Sequence, residues 1–175
     1  MNLDKLYKMQ EGLDKFILEN RVKRTGKEID KDLLLDQTIL ALLVEVGELA
    51  NTTRCFKHWS TKGMMDKEVV LDELADVLHF YLSIGNQSGR KLDKSDLECE
   101  ESTESISTIF KRVYDWVLRI SNEYEFHDKV DYMMYQQAGG WIAILWHRLG
   151  FTDKEVEQAY LKKHEENYRR QEEGY

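Results

Sequence analysis

The chain has 175 residues, 42% of them hydrophobic, and a formal net charge of −8. That length suits a single domain over residues 1–175 with a buried core, and the acidic balance excludes a general nucleic-acid binder, which needs a basic footprint. Two cysteines, Cys55 and Cys99, are too few for a disulfide framework, so a reduced cytoplasm is the expected setting.

The N-terminal "MNLDKLYKMQEGLDKF" carries charges where a signal's apolar segment would lie, and no apolar run is long enough to span a bilayer. Proline is absent, and apolar residues recur with helical period and no sustained alternation. An all-α fold, an antiparallel helical bundle, is expected. The first helix runs from Leu3 to about Val22, with Leu6, Leu13, Phe16 and Ile17 on one side. After a polar break at Gly26, the second runs from Asp32 to about Phe56, where Leu35, Ile39, Leu42, Val46 and Leu49 make an apolar stripe. "STKG" precedes a third helix from about Asp66 to Asn86, and residues 87–100 read as a polar connector. Two further helices are expected over about Glu101–Glu125 and Lys129–Leu149. In the latter, Gly139 and Gly140 permit close helix packing, and with Trp141 and Trp146 they suggest a subunit interface. The last helix opens at "TDKE", where Thr152 and Glu155 can form a capping box, and stops near Gly174. No internal repeat of fixed period is evident.

Within the second helix, "LLVEVGELAN" places Glu45 and Glu48 three apart, so they project within roughly 60° of each other. Thr38, Ala41 and Thr52 share their stripe, and the remaining circumference is apolar enough to predict that the helix is surrounded. In the third helix, "LDELADVLHFYLSIG" repeats the device with Glu73 and Asp76, opposite an apolar side of Val70, Leu74, Val77, Leu78 and Tyr81. Packed antiparallel, the two helices would bring four carboxylates together. Hard oxygen donors in that number suit Mg2+ or Mn2+ better than zinc. Spacing alone leaves open a metal site or a solvated acidic groove.

"LLVEVGELANTTRCFKHWS", "LDELADVLHFYLSIG", "LYKMQEGLDKFI" and "AYLKKHEENYRRQEEGY" together resemble the dimeric all-α dUTPases, members of the all-α nucleoside triphosphate pyrophosphatase (MazG-type) superfamily. The "FKHWS" segment, the D-x-L-H-F-x-L-S-x-G pattern and the terminal N-x-x-R-Q-x-x-G-Y carry the specific likeness. The resemblance implies hydrolysis of dUTP to dUMP and pyrophosphate by water attacking the α-phosphorus. It matches Glu45, Glu48, Glu73 and Asp76 to Mg2+ ligands, with Mn2+ as the alternative, and Glu48 also to the carboxylate that holds the attacking water. Gln10 matches the uracil pocket and Trp59 the aromatic near the base. His79 and Asn86 fall on the nucleoside side, and Lys163, Asn167, Arg170 and Tyr175 match nucleotide and phosphate contacts. His164 stands where the tail usually has asparagine. A homodimer is also implied.

Chemistry agrees with that assignment. Clustered cations neutralise phosphate oxygens, a nearby carboxylate can orient water and accept its proton, and Lys57, Lys163 and Arg170 complement phosphate charge. Read without the resemblance, "KKHEENYRR" is an exposed mixed-charge helix. Two rivals stand: a related pyrophosphatase preferring dCTP or a damaged nucleotide, and a helical interaction module serving a regulatory protein. The acidic residues cannot separate dUTP from another nucleotide, because they grip phosphates and never meet the base.

Overall fold

The computed structural model describes residues 1–97 and 102–174, and among them no strand occurs. The chain forms α1 (Leu3–Thr25), α2 (Lys31–Thr53), α3 (Lys67–Ser88), α4 (Ile106–His127), α5 (Tyr132–Arg148) and α6 (Asp153–Glu172), with a 3-10 turn at Lys94–Leu97. Local chemistry sets the ends. Asn2 accepts from the Lys5 N–H to open α1, and Gly26, at φ +69°, closes it by donating to the Val22 carbonyl. Asp30 caps two amides of α2. Thr152 and Glu155 form the capping box expected for α6.

The third helix persists through Ser88, so the expected connector 87–100 begins as helix and contains the 3-10 turn. Its Leu92 is buried, with its N–H donating to the Tyr7 hydroxyl, so it is a packed strap where a solvated linker was expected. Residues 98–100 of that connector, and with them Cys99, lie outside the described residues. The fourth helix starts at Ile106, where Ser105 caps it.

α3 is the centre, packed against α2, α1, α6 and α5, while α4 bridges α2 and α5. Leu74, Val77, Leu82 and Ile84 of α3 are fully buried, each such side chain contributing about 1.5–3 kcal/mol relative to exposure. A clasp joins α3 to α5. The Tyr81 hydroxyl donates to the Tyr135 carbonyl at 2.8 Å and the Tyr135 hydroxyl to the Tyr81 carbonyl at 2.9 Å, with the rings parallel. Each hydroxyl sits where a Cβ on the other helix's glycine would fall, Tyr81 over Gly139 and Tyr135 over Gly85, at 2.3 Å. This is a Tyr-x-x-x-Gly element used twice, 54 residues apart.

The clasp accounts for part of "AGGWIAILW", while Gly140 and Trp141 stay only half-buried. Gly139 and the buried Trp146 make their contacts inside the chain. The exposed apolar residues lie elsewhere: Leu33, Leu40 and Val44 of α2 are 48%, 60% and 50% exposed. The second helix packs against α3 and α4 and is left open along Leu33, Leu40 and Val44, contrary to its sequence pattern.

Candidate active site

Because α2 and α3 run antiparallel, Glu45 meets Glu73 and Asp76, and one carboxylate oxygen from each lies within 4.8 Å of the others. The sequence predicts four converging acids, and the tight group holds three. Glu48, one turn further along α2, is at an exposed position, close enough for its charge to act on Glu45 and Glu73. Partial burial, followed by the charges of Asp76, Glu48 and Glu73, pushes Glu45 up to about 7. Burial also leads in raising Glu73 and Asp76. Three hard oxygen donors whose mutual repulsion a cation would relieve fit a divalent ion.

A cation of the chain's own already stands there. Lys163 of α6, with only 5% of its side chain exposed, places Nζ 2.6 Å from Asp72 Oδ2 and 2.6 Å from Asp76 Oδ2. Desolvation pulls the ammonium's pKa down, but the two carboxylates more than offset it. The contact expected for Lys163 was phosphate; the structure places it on acids.

Next along α3 lies a buried polar network. Gln10 Oε1 is 2.6 Å from His79 Nδ1 and accepts from the Tyr160 hydroxyl at 2.9 Å. Gln10 Nε2 donates to Asp14 Oδ1 at 2.7 Å, and Ser83 donates to the other Asp14 oxygen at 2.7 Å. With the amide so oriented, His79 must donate from Nδ1, which leaves Nε2 as an acceptor. That Nε2 is buried and has no hydrogen-bond partner among the described residues. Burial, then the neighbouring His164, lowers His79 to about 3, so the ring is neutral. His79 stacks on Tyr160 with centroids 4.1 Å apart, and His164 Nε2 meets the Met9 carbonyl at 3.1 Å. Gln10 is thus a buried residue that fixes a histidine, with both faces of its carbonyl oxygen already in use.

The remaining predicted residues fall around this network and the acids. Asn86 donates to the Tyr7 carbonyl at 2.9 Å and keeps its buried Oδ1 without a partner among the described residues. It also lines a cleft of about 1080 Å3, with Asp14, Gln87, Leu18 and Leu35, at the end of the α2–α3 hairpin away from the acids. Trp59 is 68% exposed in the α2–α3 loop, edge-on to Phe56 and His58, and Lys57 lies over the Phe56 ring. On α6, Tyr160, Lys163, Asn167 and Arg170 follow one face; Arg170 pairs with Glu166 and its charge reaches Asp76. Tyr175 lies outside the described residues.

Sequence reasoning placed Asp72 one turn before Asp76 without a role, and missed Asp14, Ser83 and Tyr160 as members of the site. A signal existed: Asp72, Asp76, His79, Ser83 and Gln87 recur at intervals of four, three, four and four along an otherwise apolar helix. Such a polar row on a central helix must meet polar partners.

A helical bundle with converging carboxylates on its central hairpin, beside a buried histidine network, defines an all-α enzyme with a centre suited to a divalent cation. The chain belongs to the dUTPase family, whose model matches residues 2–175. It carries that family's activity, dUTP diphosphatase. The comparison with curated proteins gave no match. Among the described residues, no helix is long and apolar enough to cross a membrane.

Proposed function

We propose that this enzyme hydrolyses dUTP to dUMP and pyrophosphate in a Mg2+-dependent reaction, water attacking the α-phosphorus, and so limits uracil incorporation into DNA while supplying dUMP in the cytoplasm. The observation that carries the reading is the convergence of Glu45, Glu73 and Asp76 oxygens within 4.8 Å, on a chain of the dUTPase family. Bound Mg2+, or Mn2+ in its place, would neutralise charge on the phosphate oxygens and raise the nucleophilicity of water. Glu48, exposed beside the cluster and joining it as a fourth ligand, orients the attacking water and takes its proton. Lys57, Lys163, Asn167, Arg170 and Tyr175 complement the phosphates.

His79 and Asn86 face the nucleoside. The unpartnered His79 Nε2 accepts from an N–H or hydroxyl donor of the nucleoside, and Gln10 holds the ring in the tautomer that can do so. Trp59, largely exposed, supplies a stacking wall for the base. The enzyme works as a homodimer, the exposed Leu33, Leu40 and Val44 of α2 being the apolar area that a second copy would cover.

The test is a panel of dUTP, dTTP, dCTP and UTP with Mg2+, following the phosphate products. Strong preference for dUTP with release of pyrophosphate is expected. Release of orthophosphate would refute attack at the α-phosphorus, and equal turnover of all four nucleotides would remove the base assignment while sparing the metal site.

A further inference from the structure

Lys163 is in an unusual place for a side chain that meets only phosphate. Its ammonium is nearly sealed from solvent and sits between two carboxylates, 2.6 Å from each. One of them, Asp76, belongs to the tight acidic group with Glu45 and Glu73. The other, Asp72, lies one turn earlier on α3, has 44% of its side chain exposed, and is outside that group. The positive charge of Lys163 also reaches Glu45 and Glu73. The lysine thus neutralises the same carboxylates that a divalent ion would use.

We propose that Lys163 is the resident cation of this cluster, in competition with the divalent ion for Asp76, and that Asp72 is the positioning residue that receives the ammonium when the ion engages Asp76. The inference rests on the reading of the cluster as a divalent-cation site. A lysine has no geometric demand beyond three donors, so an ammonium can pivot from a carboxylate pair to one member of it. Asp72 is suited to hold it, being already bonded at 2.6 Å and lying outside the tight acidic group. The arrangement keeps repelling acids from lying unpaired before loading, since an uncompensated buried charge is strongly destabilising. It also leaves the ammonium beside the site afterwards, where substrate phosphates would arrive.

The experiment is Mn2+ binding to nucleotide-free protein, followed by electron paramagnetic resonance and calorimetry. Lys163→Met should bind Mn2+ roughly tenfold more tightly than wild type, a coupling of ordinary size for two ligands that exclude each other. Lys163→Arg, which restores the charge, should return the affinity toward the wild-type value. Lys162→Met removes the same charge from the next, exposed position and should change affinity by less than about twofold, the screened surface effect. Asp72→Asn, which confines the ammonium to Asp76, should weaken Mn2+ binding, and that factor should shrink by half or more in the Lys163→Met background. Should Lys163→Met lose its helical circular dichroism, Lys163→Gln carries the same test. Unchanged or weaker Mn2+ binding on losing the lysine, or an Asp72→Asn effect equal in both backgrounds, overturns the proposal. If Glu73→Gln abolishes Mn2+ binding in either case, the metal-site reading survives that failure. Absence of Mn2+ binding to wild type overturns both.

Discussion

The hairpins α2–α3 and α4–α5 share a clasp and differ in everything it holds. Each contributes a tyrosine and a glycine four residues later, and each tyrosine hydroxyl reaches the other's carbonyl. Around that common seam α3 carries a row of polar residues facing α1 and α6, whereas the buried face of α4 is Ile109, Phe110, Val113, Val117 and Ile120 without a polar break. One hairpin is burdened with like charges; the other is built only for packing. The difference teaches that the acids are held in place by neighbours that take no part in the chemistry, because burying Glu45 and Asp76 raises their free energy and some other surface must offset it.

That contrast can be broken from either side. The largest effect is expected at Glu48: Glu48→Ala should lower kcat by roughly 10²–10⁴-fold, the range for loss of a positioned general base, with unfolding by urea little changed because the site is exposed. The converse holds in the packing hairpin. Ile120, fully buried, should cost about 2–5 kcal/mol on truncation to alanine, read from the urea midpoint, with kcat per folded molecule retained. Gly139→Ala puts a methyl 2.3 Å from the Tyr81 hydroxyl and should cost about 1–3 kcal/mol by overpacking, again without a fall in kcat per folded molecule; a selective loss of kcat would show that the clasp does more than hold.

The smallest effect sharpens the other hairpin. Glu45 has its folded pKa raised to about 7 from 4.5, so the unfolded chain ionises first. Its contribution to stability is fully present below the unfolded value and declines as pH rises through the folded one. Half exposure makes the effect modest. Metal-free wild type should lose on the order of 1–3 °C in Tm between pH 5 and 7.5 relative to Glu45→Gln, and Mg2+ should reverse the trend, since it favours the ionised carboxylates. An identical pH slope in both proteins would refute that role for Glu45.

Helix periodicity made much of this legible. Apolar stripes located the six helices among the described residues to within a few residues at most ends, and Thr152 with Glu155 announced a cap that the fold contains. The two acidic pairs were also readable, because their spacing lies within single helices. What could not be read depends on pairs distant in the chain. Lys163 and Asp72 are 91 positions apart, and Gln10 and His79 are 69 apart. Spacing tells which residues share a face of a helix but not which helix that face will meet. For the same reason α2 looked surrounded, although Leu33, Leu40 and Val44 emerge on a side that no other helix covers among the described residues.

Lys163 and His164 are consecutive residues of α6, yet they serve two different clusters, one among the carboxylates and the other beside His79 and the first helix. A helix advances only 1.5 Å per residue and moves as a rod. Any sliding or tilting of α6 is therefore felt at the acidic end and at the histidine end together. The acids and the buried histidine are thus joined by one stiff calliper, its two jaws set by neighbouring links of one chain.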